Sequence, residues 1–367
     1  MLCALAVTVT AVLAACTTSS AKHSAHSPPA DPKPTHPPTA SSTPRSTPAP
    51  SPARPAGEFT FAFAGDVHFS ERVGVRLAAD PATVFAQAAP GLAKADLTMV
   101  NLETAITTTG DQQRKSFTFR APPSAFTALK DAGIDIATMA NNHGADYGAS
   151  GLADTLAAIE SSRFPVVGIG ANAAAAYAPW TTTVNGTKLA VLAATQVQDE
   201  TLSNFSAGPG SAGVANAYSE QLLAGVRAAK ANGFVVVVYL HWGTEYVPCP
   251  NADQQTLAAQ LAAAGASAVI GTHAHVLQGA GWRADGTYVA YGLGNYLWWR
   301  SFGNNQDDNG LLTLTFRNGK VVANNFTPSH LDARGVPLPA TGAEAVRISG
   351  QWNADRPCTG LAAVPPA

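Results

Sequence analysis

The sequence predicts one α/β domain with antiparallel strands near its C-terminus. Two observations support this fold class. From residue 58 onward, short apolar runs alternate with Ala-rich segments of helical length. Towards the end, alternating strands are joined by short turns such as Asn318-Gly319, which is typical of a β-hairpin. The pattern indicates two sheets that pack together.

The first 57 residues have a different composition. Residues 1–16 form an apolar run that is too short to span a bilayer and ends in Leu13-Ala14-Ala15-Cys16. This run resembles a bacterial lipoprotein signal peptide, with Cys16 as the lipidated residue; an ordinary secretory signal is the alternative. Residues 17–57 hold 11 of the 26 prolines and no Ile, Leu, Val or aromatic residue. They predict a disordered linker, because they cannot bury enough apolar surface to offset the ordering entropy.

These features predict an extracytoplasmic protein. Residues 58–367 would form the domain, which a lipid anchor would hold at the cell membrane unless the protein is secreted. Without the signal and the linker, the domain has 18 basic and 23 acidic residues. This mildly acidic balance argues against nucleic acid as a partner, because phosphates need clustered Lys and Arg.

Each strand and helix is predicted from its own pattern. Near-continuous apolar runs predict buried strands over residues 59–64, 97–101, 134–140, 189–194, 234–240 and 268–272. Helices are predicted over residues 81–93, 124–132, 151–161, 219–232 and 252–265. The antiparallel strands are predicted over residues 287–291, 311–316 and 321–326.

Two cysteines lie in the predicted domain. Cys3 and Cys16 belong to the signal, which leaves Cys249 and Cys358. In an oxidising compartment such a pair is often a disulfide, and neither residue belongs to a Cys-x-x-Cys unit that would indicate zinc. The sequence therefore predicts a bond between Cys249 and Cys358.

Five histidines lie at or just beyond the ends of predicted strands, the edge of an α/β sheet where ligands bind. They are His68, His143, His241, His273 and His275, and Asp66, Glu103 and Asn142 accompany them. In Asp66-x-His68 and His273-x-His275, alternate residues of an extended segment would face the same side, so both members of each pair could face one site. Imidazole and carboxylate without thiolate indicate Zn, Mn, Fe or Co. The potential ligands exceed what one tetrahedral metal requires. Two divalent metal ions are therefore predicted, an arrangement that clamps both oxygens of an in-line displacement.

A series of motifs in this sequence is similar to that of a known family. The motifs are Gly65-Asp66, Asn101-Leu102-Glu103, Asn141-Asn142-His143, His241-Trp242-Gly243-x-Glu245-Tyr246 and Gly271-x-His273-x-His275. In this order they resemble the CapA family, the poly-γ-glutamate capsule biosynthesis proteins, a branch of the calcineurin-like metallophosphoesterases. The resemblance covers roughly residues 58–317. It implies a four-layer α-β-β-α sandwich with a dinuclear metal site between the sheets.

The resemblance also implies a role for each site residue. One metal ion (Mn, Fe or Zn) would bind Asp66, His68 and His275, and the other would bind Asn142, His241 and His273, with Glu103 bridging them. The general acid that protonates the leaving group would be His143, with Asp146 orienting it. Glu245 and Asn295 also match the family pattern and would contact substrate; the alternatives are a hydrogen-bond partner of a ligand for Glu245 and a turn cap for Asn295. The sequence departs from the wider superfamily, which bridges with Asp, and from many family members, which lack a histidine at the position of His68.

The expected function is that of an extracytoplasmic dinuclear-metal hydrolase. Its substrate would be a phosphoester or an anionic cell-surface polymer, and the capsule-synthesis machinery would be a partner. The metal site alone does not separate a phosphoesterase from an enzyme that cleaves the amide of a γ-linked glutamate chain. The alternative class is a non-catalytic, membrane-anchored binding or assembly subunit for capsular polymer. The full ligand set favours the enzyme, because an inactive relative would be expected to lose His143 or a ligand.

Overall fold

The computed structural model describes residues 54–367. The predicted signal peptide with Cys16 and the linker up to residue 53 lie outside the described residues. The last residues of the predicted linker are attached to the domain: Gly57 N donates to Asn185 O (3.1 Å), and Asn185 Nδ2 donates to Pro55 O (3.0 Å). Pro55 and Gly57 therefore contact the domain. No helix within residues 54–367 is long and apolar enough to cross a membrane.

Strands and helices alternate along the described chain. The strands are β1 (Phe59–Val67), β2 (Leu97–Leu102), β3 (Ala105–Ile106), β4 (Arg120–Ala121), β5 (Ile136–Thr138), β6 (Val166–Val167), β7 (Ile169–Gly170), β8 (Trp180–Val184), β9 (Thr187–Thr195), β10 (Gly213–Val214), β11 (Val235–His241), β12 (Ala268–Thr272), β13 (Leu277–Trp282), β14 (Tyr288–Leu293), β15 (Asn295–Leu297), β16 (Asp308–Arg317), β17 (Lys320–Leu331) and β18 (Pro337–Pro339). The α-helices are α1 (Glu71–Ala79), α2 (Ala89–Leu92), α3 (Ser124–Asp131), α4 (Gly148–Ser162), α5 (Ala173–Ala176), α6 (Glu200–Phe205), α7 (Glu220–Ala231), α8 (Ala252–Ala264) and α9 (Gly342–Ala354). Two 3-10 turns cover Pro81–Thr83 and Arg356–Thr359.

Two large sheets form the centre of the domain. The first has the strand order β18-β17-β16-β1-β2-β5-β6, and β15 also pairs with β1. The second has the order β13-β14-β12-β11-β9-β8. Strands β1, β2, β5 and β6 are parallel, as are β9, β11, β12 and β14, whereas the C-terminal strands β16 to β18 are antiparallel.

The two sheets pack face to face, and helices cover their outer faces. On β1, Phe61 lies in the core between the sheets and its neighbour Ala62 in the core under the helices. On β11, Val237 and Val238 alternate in the same way. This alternation arises because successive side chains of a strand point to opposite faces. Helices α1, α3 and α4 cover the first sheet, and α7 and α8 cover the second. The predicted four-layer α-β-β-α fold is therefore confirmed.

Most predicted elements are present with shifted ends, but one helix prediction is wrong. Residues 81–93 form a 3-10 turn and the short α2 in place of a continuous helix. Pro90 explains the break, because proline lacks the backbone N–H that an interior helical residue donates. Four helices, α1, α5, α6 and α9, and several strands, β8 and β13 among them, were not predicted. The strand predicted over residues 287–291 is β14, which is parallel to β12 and antiparallel only to β13.

A disulfide bond attaches the C-terminal tail to the domain. It joins Cys249, in the loop before α8, to Cys358 in the last 3-10 turn, with 5.8 Å between the two Cα atoms. The tail is also held by a pair of backbone hydrogen bonds between Trp282 and Ala362 (2.9 and 2.8 Å). The tail therefore packs against β13, the edge strand of the second sheet.

We expect this disulfide to contribute strongly to stability. A Cys249→Ser, Cys358→Ser double variant should lose about 4–5 kcal/mol of unfolding free energy, because the bond closes a loop with a sequence separation of 109 residues in the unfolded chain. Urea unfolding of the oxidised wild type and of the variant measures this difference. Alkylation of Cys249 or Cys358 in the unfolded, unreduced wild type, detected by mass spectrometry, would contradict the bond.

Candidate metal centre

The candidate site lies where parallel strands of both sheets end. Asp66 is near the end of β1, Glu103 follows β2 and Asn142 lies beyond β5. From the second sheet, His241 is the last residue of β11 and His273 directly follows β12. Because parallel strands share the direction of their C-terminal ends, each sheet presents its polar residues at one edge. The packing of the sheets brings these two edges together.

Asp66 and Glu103 form one group with His241. Their potential ligand atoms lie within 4.8 Å of one another, and the three side chains are fully buried. Asn101 joins the carboxylates, because its Nδ2 donates to Asp66 Oδ1 (2.8 Å) and to Glu103 Oε2 (3.3 Å). Asn141 in turn donates to Asn101 Oδ1 (2.9 Å). Both asparagines belong to the sequence motifs, but the sequence analysis gave neither a role.

His241 adjoins three further candidate ligands. Its Nε2 lies 2.8 Å from Asn142 Oδ1, 3.1 Å from His273 Nδ1 and 3.7 Å from Glu103 Oε1. Its Nδ1 lies 3.2 Å from Thr272 Oγ1. That hydroxyl can accept the proton on Nδ1 and so leave Nε2 free as a ligand atom. The four converging atoms suit a metal ion.

His275 lies between Asp66 and Asn295. Its Nδ1 lies 2.9 Å from Asn295 Oδ1 and 3.4 Å from Asp66 Oδ2. Asn295 is fully buried, and its Nδ2 donates to the backbone oxygen of Gln306 (3.1 Å). The structure therefore places Asn295 behind His275, with both polar groups engaged inside the protein, and not at the substrate surface predicted for it.

The backbone beyond β12 adopts an unusual conformation. The φ angles of His273 and His275 are 92° and 54°, a region that residues other than glycine rarely occupy. The backbone N of His273 donates to Asp66 Oδ2 (3.2 Å). Gly271 is required here, since a Cβ atom would lie 2.1 Å from Trp242 Nε1. Such strain persists where the surrounding structure enforces it, and here it directs both imidazoles to one centre.

The protonation states of the buried groups fit a divalent cation. Burial raises the pKa of Glu103 well above its usual range, and the charge of Asp66 raises it further. Burial lowers the pKa of His241 far below its usual range and that of His273 to about 3. Both imidazoles are therefore neutral at pH 7, as metal ligands must be. Glu103 Oε1 is buried without a hydrogen-bond partner among the described residues, and a cation would supply its countercharge.

His68 lies apart from these groups. Its Nε2 accepts a hydrogen bond from the backbone N of Trp299 (3.1 Å), and its ring packs against Phe119 (4.2 Å between centroids) and Trp298 (4.3 Å). Within residues 54–367 it belongs to neither group of adjacent ligand atoms. The strand pairing shifts register between Asp66 and Val67, so the simple alternation that predicted a shared face does not hold. The structure bonds the Nε2 of His68 to this loop, while its buried Nδ1 has no hydrogen-bond partner among the described residues; the ligand role of His68 stays a prediction.

His143 is held with one ring nitrogen towards the carboxylates. Its Nδ1 lies 2.6 Å from Asp146 Oδ2, and its Nε2 lies 3.8 Å from Glu103 Oε1. Asp146 Oδ2 also accepts a hydrogen bond from the backbone N of Phe119 (2.6 Å). This is the geometry expected for an imidazole that Asp146 orients.

Lys115 forms an ion pair with Asp146, the carboxylate that orients His143, and was not among the predicted site residues. Its side chain is only 8% exposed, and its Nζ lies 2.9 Å from Asp146 Oδ1 and 2.7 Å from Asp199 Oδ2. The same Nζ donates to the backbone oxygen of Asn142. Lys115 thus fixes both the carboxylate behind His143 and the loop that carries the candidate ligand Asn142. No local pattern in the sequence marks it.

Glu245 lies at the exposed edge of the centre. Its carboxylate forms a second group with His273 and His275, with ligand atoms within 4.8 Å of one another. It lines a cleft of about 420 Å³ together with His143 and Tyr246. This position is compatible with its predicted substrate contact and also brings it within reach of a metal ion.

We expect two divalent ions per chain, both of which depend on Glu103. Glu103→Ala should reduce the content to fewer than one ion per chain, because Glu103 lies next to candidate ligands of both ions. It shares the amide of Asn101 with Asp66, and its Oε1 lies 3.7 Å from His241 Nε2. Plasma mass spectrometry after dialysis against Mn²⁺ measures the stoichiometry. The matched control is Glu160→Ala, on the exposed face of α4. A single ion in the saturated wild type, or two in Glu103→Ala, would count against a shared carboxylate.

The structure also predicts that Asp66 and His68 differ in metal binding. Asp66→Ala should lose one of the two ions, because its carboxylate contacts His275 and the backbone of His273. His68→Ala should keep both ions, because His68 lies outside both groups of adjacent ligand atoms within residues 54–367 and its Nε2 is bonded to Trp299. The same metal analysis checks both variants. Loss of one ion in His68→Ala would restore the predicted ligand role of His68.

Comparison with known proteins agrees with the motif series. A family model described as "Bacterial capsule synthesis protein PGA_cap" matches residues 60–298. The PGA biosynthesis protein CapA of Bacillus subtilis (strain 168) is 31% identical over 242 residues, which cover 64% of this chain and 62% of that protein. The capsule biosynthesis protein CapA of Bacillus anthracis is 30% identical over 230 residues, which cover 62% of this chain and 55% of that protein. This chain thus spans less than two thirds of the length of each relative.

A solved structure, the NAD nucleotidase of Haemophilus influenzae, resembles this chain with 14% sequence identity and a TM-score of 0.44. The similarity covers 81% of this chain and 56% of that chain. The fold assignment rests on the strand order given above. The family match spans more than half of the sequence, from β1 to the residue after β15, and the CapA resemblance is confirmed. The chain therefore belongs to the bacterial capsule synthesis protein family PGA_cap.

Proposed function

We propose that this chain is an extracytoplasmic, metal-dependent hydrolase that cleaves a phosphoester in the metabolism of an anionic capsular polymer. The observation that carries the proposal is the position of His143. Its Nε2 faces Glu103, while its Nδ1 is engaged by Asp146. A histidine oriented in this way, beside the candidate ligands, suits proton transfer to a leaving group.

The candidate ligands would hold two divalent ions. They are Asp66, Glu103, Asn142, His241, His273 and His275, which offer carboxylate, amide and imidazole atoms. This donor set suits Mn, Fe or Zn. When bound, such ions polarise the oxygen of the scissile group and lower the pKa of an attacking water.

His143 would supply the proton that the leaving group needs. Asp146 accepts from Nδ1, which fixes the ring and stabilises its protonated form, and Lys115 and the backbone of Phe119 hold Asp146 in place. Burial lowers the pKa of His143, and the contact with Asp146 partly opposes this effect. An anionic substrate in the cleft would favour the protonated ring again, because opposite charges stabilise each other at short range. The proton on Nε2 can then pass to the departing alkoxide oxygen.

The relatives support the biological context of the proposal. Their names are those of PGA and capsule biosynthesis proteins, which places an anionic surface polymer among the substrates to test. An extracytoplasmic location with Cys16 as a lipid anchor fits a polymer assembled at the cell surface. The capsule-synthesis machinery would then be the neighbouring partner.

A second function is a non-catalytic binding or assembly subunit for the capsular polymer. The observation that favours it is that both relatives are named for biosynthesis and not for hydrolysis. In such a subunit the metal ions would organise the strand ends, and the cleft beside Glu245 would bind polymer without cleaving it. Hydrolysis of an amide in a γ-linked glutamate chain remains the alternative reaction for the same centre.

A variant of His143 distinguishes the proposed enzyme from a binding subunit. His143→Ala should keep both metal ions and the fold, because its ring is not among the candidate ligands. Turnover of phenyl phosphate should fall about 10²–10⁴-fold, the usual contribution of a general acid. The loss should be smaller for para-nitrophenyl phosphate, whose leaving group needs little protonation. Steady-state kinetics with Mn²⁺ and metal analysis measure the two properties.

A matched control is His330→Ala, since His330 on β17 pairs with Glu344 of α9 and is not among the residues that line the cleft. This control should keep wild-type turnover. Unchanged turnover of both phosphates by His143→Ala would show that His143 is not the acid. If the metal-replete wild type cleaves no phosphomonoester, phosphodiester or poly-γ-glutamate, the binding subunit gains support.

A further inference from the structure

The loop after β15 places an arginine between two aromatic rings at the mouth of the cleft. The guanidinium carbon of Arg300 lies 4.2 Å from the ring centroid of Trp299 and 4.5 Å from that of Phe302. Stacking on two rings restricts a planar guanidinium and leaves its N–H groups at the edge free to donate. Arg300 is exposed, and the two rings are half-buried.

Several hydrogen bonds fix the backbone of this loop. Trp299 N donates to His68 Nε2 (3.1 Å), which connects the loop to a fully buried side chain just beyond β1. The backbone N atoms of Phe302 and Gly303 donate to the carboxylate of Asp307 (2.7 and 2.6 Å), a buried side chain. Arg300 therefore extends from an anchored segment, and less entropy is lost when it binds a ligand.

Arg300 has no carboxylate partner within residues 54–367. Six other arginines form ion pairs with acidic side chains in the same part of the chain: Arg54, Arg227, Arg283, Arg317, Arg334 and Arg347. A guanidinium that is held in place but not paired is suited to an external anion. Because its donors form a planar fork, it matches a carboxylate in a bidentate manner.

The position of Arg300 relates this anion site to the chemistry. The cleft of about 420 Å³ is lined by Arg300 and Trp299 on one side and by His143 and His275 on the other. One ligand can therefore reach the metal centre and Arg300 at once. Glu245 lines the same cleft and repels a dianion more than a monoanion, which favours a carboxylate over a second phosphate at Arg300.

We propose that Trp299, Arg300 and Phe302 form a subsite for a carboxylate carried by the substrate beyond the scissile bond. The rings would pack against the apolar part of that unit, and the guanidinium would bind its carboxylate. The inference rests on the proposed function and narrows its substrate class to carboxylate-bearing phosphoesters. It gives the loop after β15 the role of a specificity element.

The test compares two non-hydrolysable ligands that differ in one charge. We expect the Mn²⁺-loaded wild type to bind para-carboxybenzylphosphonate about tenfold more tightly than para-carbamoylbenzylphosphonate, the scale of a charge-assisted hydrogen bond. Arg300→Ala should reduce this ratio to about one, and Arg300→Lys should give an intermediate ratio because the planar fork is lost. Titration calorimetry measures the affinity of each ligand for the wild type and for each variant. Arg227→Ala, on the surface of α7, should keep the tenfold ratio.

The outcomes test the subsite and the proposed function separately. Equal affinity of the wild type for both phosphonates, or a preference that survives in Arg300→Ala, would overturn the subsite. If neither phosphonate binds, the phosphoesterase proposal fails. The subsite is then tested alone by comparing the affinities for benzoate and benzamide, measured by tryptophan fluorescence. A preference for benzoate that Arg300→Ala abolishes supports the subsite, and no preference refutes it.

Discussion

Two buried carboxylates that share one amide determine the layout of the centre. Asp66 and Glu103 both accept from Asn101 Nδ2 and are both fully buried. Like charges in a protein interior repel strongly unless hydrogen bonds and a countercharge compensate them. The adjoining imidazole of His241 is no countercharge at neutral pH, because burial lowers its pKa. Lys115 is already bonded to two other acids. Without a cation, protonation of Glu103 relieves the repulsion, as its raised pKa indicates; a bound cation would allow both carboxylates to stay charged, and the converging ligand atoms suit that role.

The packing of the two sheets sets the distance between ligands from different strands. Tyr239 is fully buried between the sheets and donates its hydroxyl to the backbone oxygen of Ala64 (2.6 Å). Tyr239 precedes His241 by two residues, and Ala64 precedes Asp66 by two residues. This one bond therefore sets the register of β11 against β1 directly below the centre. A sliding of one sheet over the other would separate ligands that each sheet alone positions correctly.

Local patterns predicted the parts of the site that depend on strand ends. The C-terminal ends of parallel strands carry Asp66, His241 and His273, and the strand pattern was sufficient to place each of them at the C-terminal edge of its sheet. The contacts of Lys115 and Asn295 were not predictable in this way. Lys115 reaches Asp146 through the tertiary fold, and Asn295 supports His275 from a neighbouring strand. Period-two alternation also failed at the shift in register after Asp66, because an irregular residue rotates the side chains that follow it.

The contacts of His143 with Asp146, and of Asp146 with Lys115, bear on whether the metal centre is structural or catalytic. A metal site that serves structure needs ligands and their immediate partners, and His143 is not required as either. Yet Asp146 and Lys115 form a buried charged chain behind its ring, and burying such groups costs free energy that their mutual attraction only partly offsets. The recognition groups, including Arg300, instead lie on loops at the mouth of the cleft. Substrate preference can therefore change without disturbing the centre. The buried charged groups behind His143 hold the loop of Asn142, and they also orient the ring as proton transfer in the proposed reaction would require.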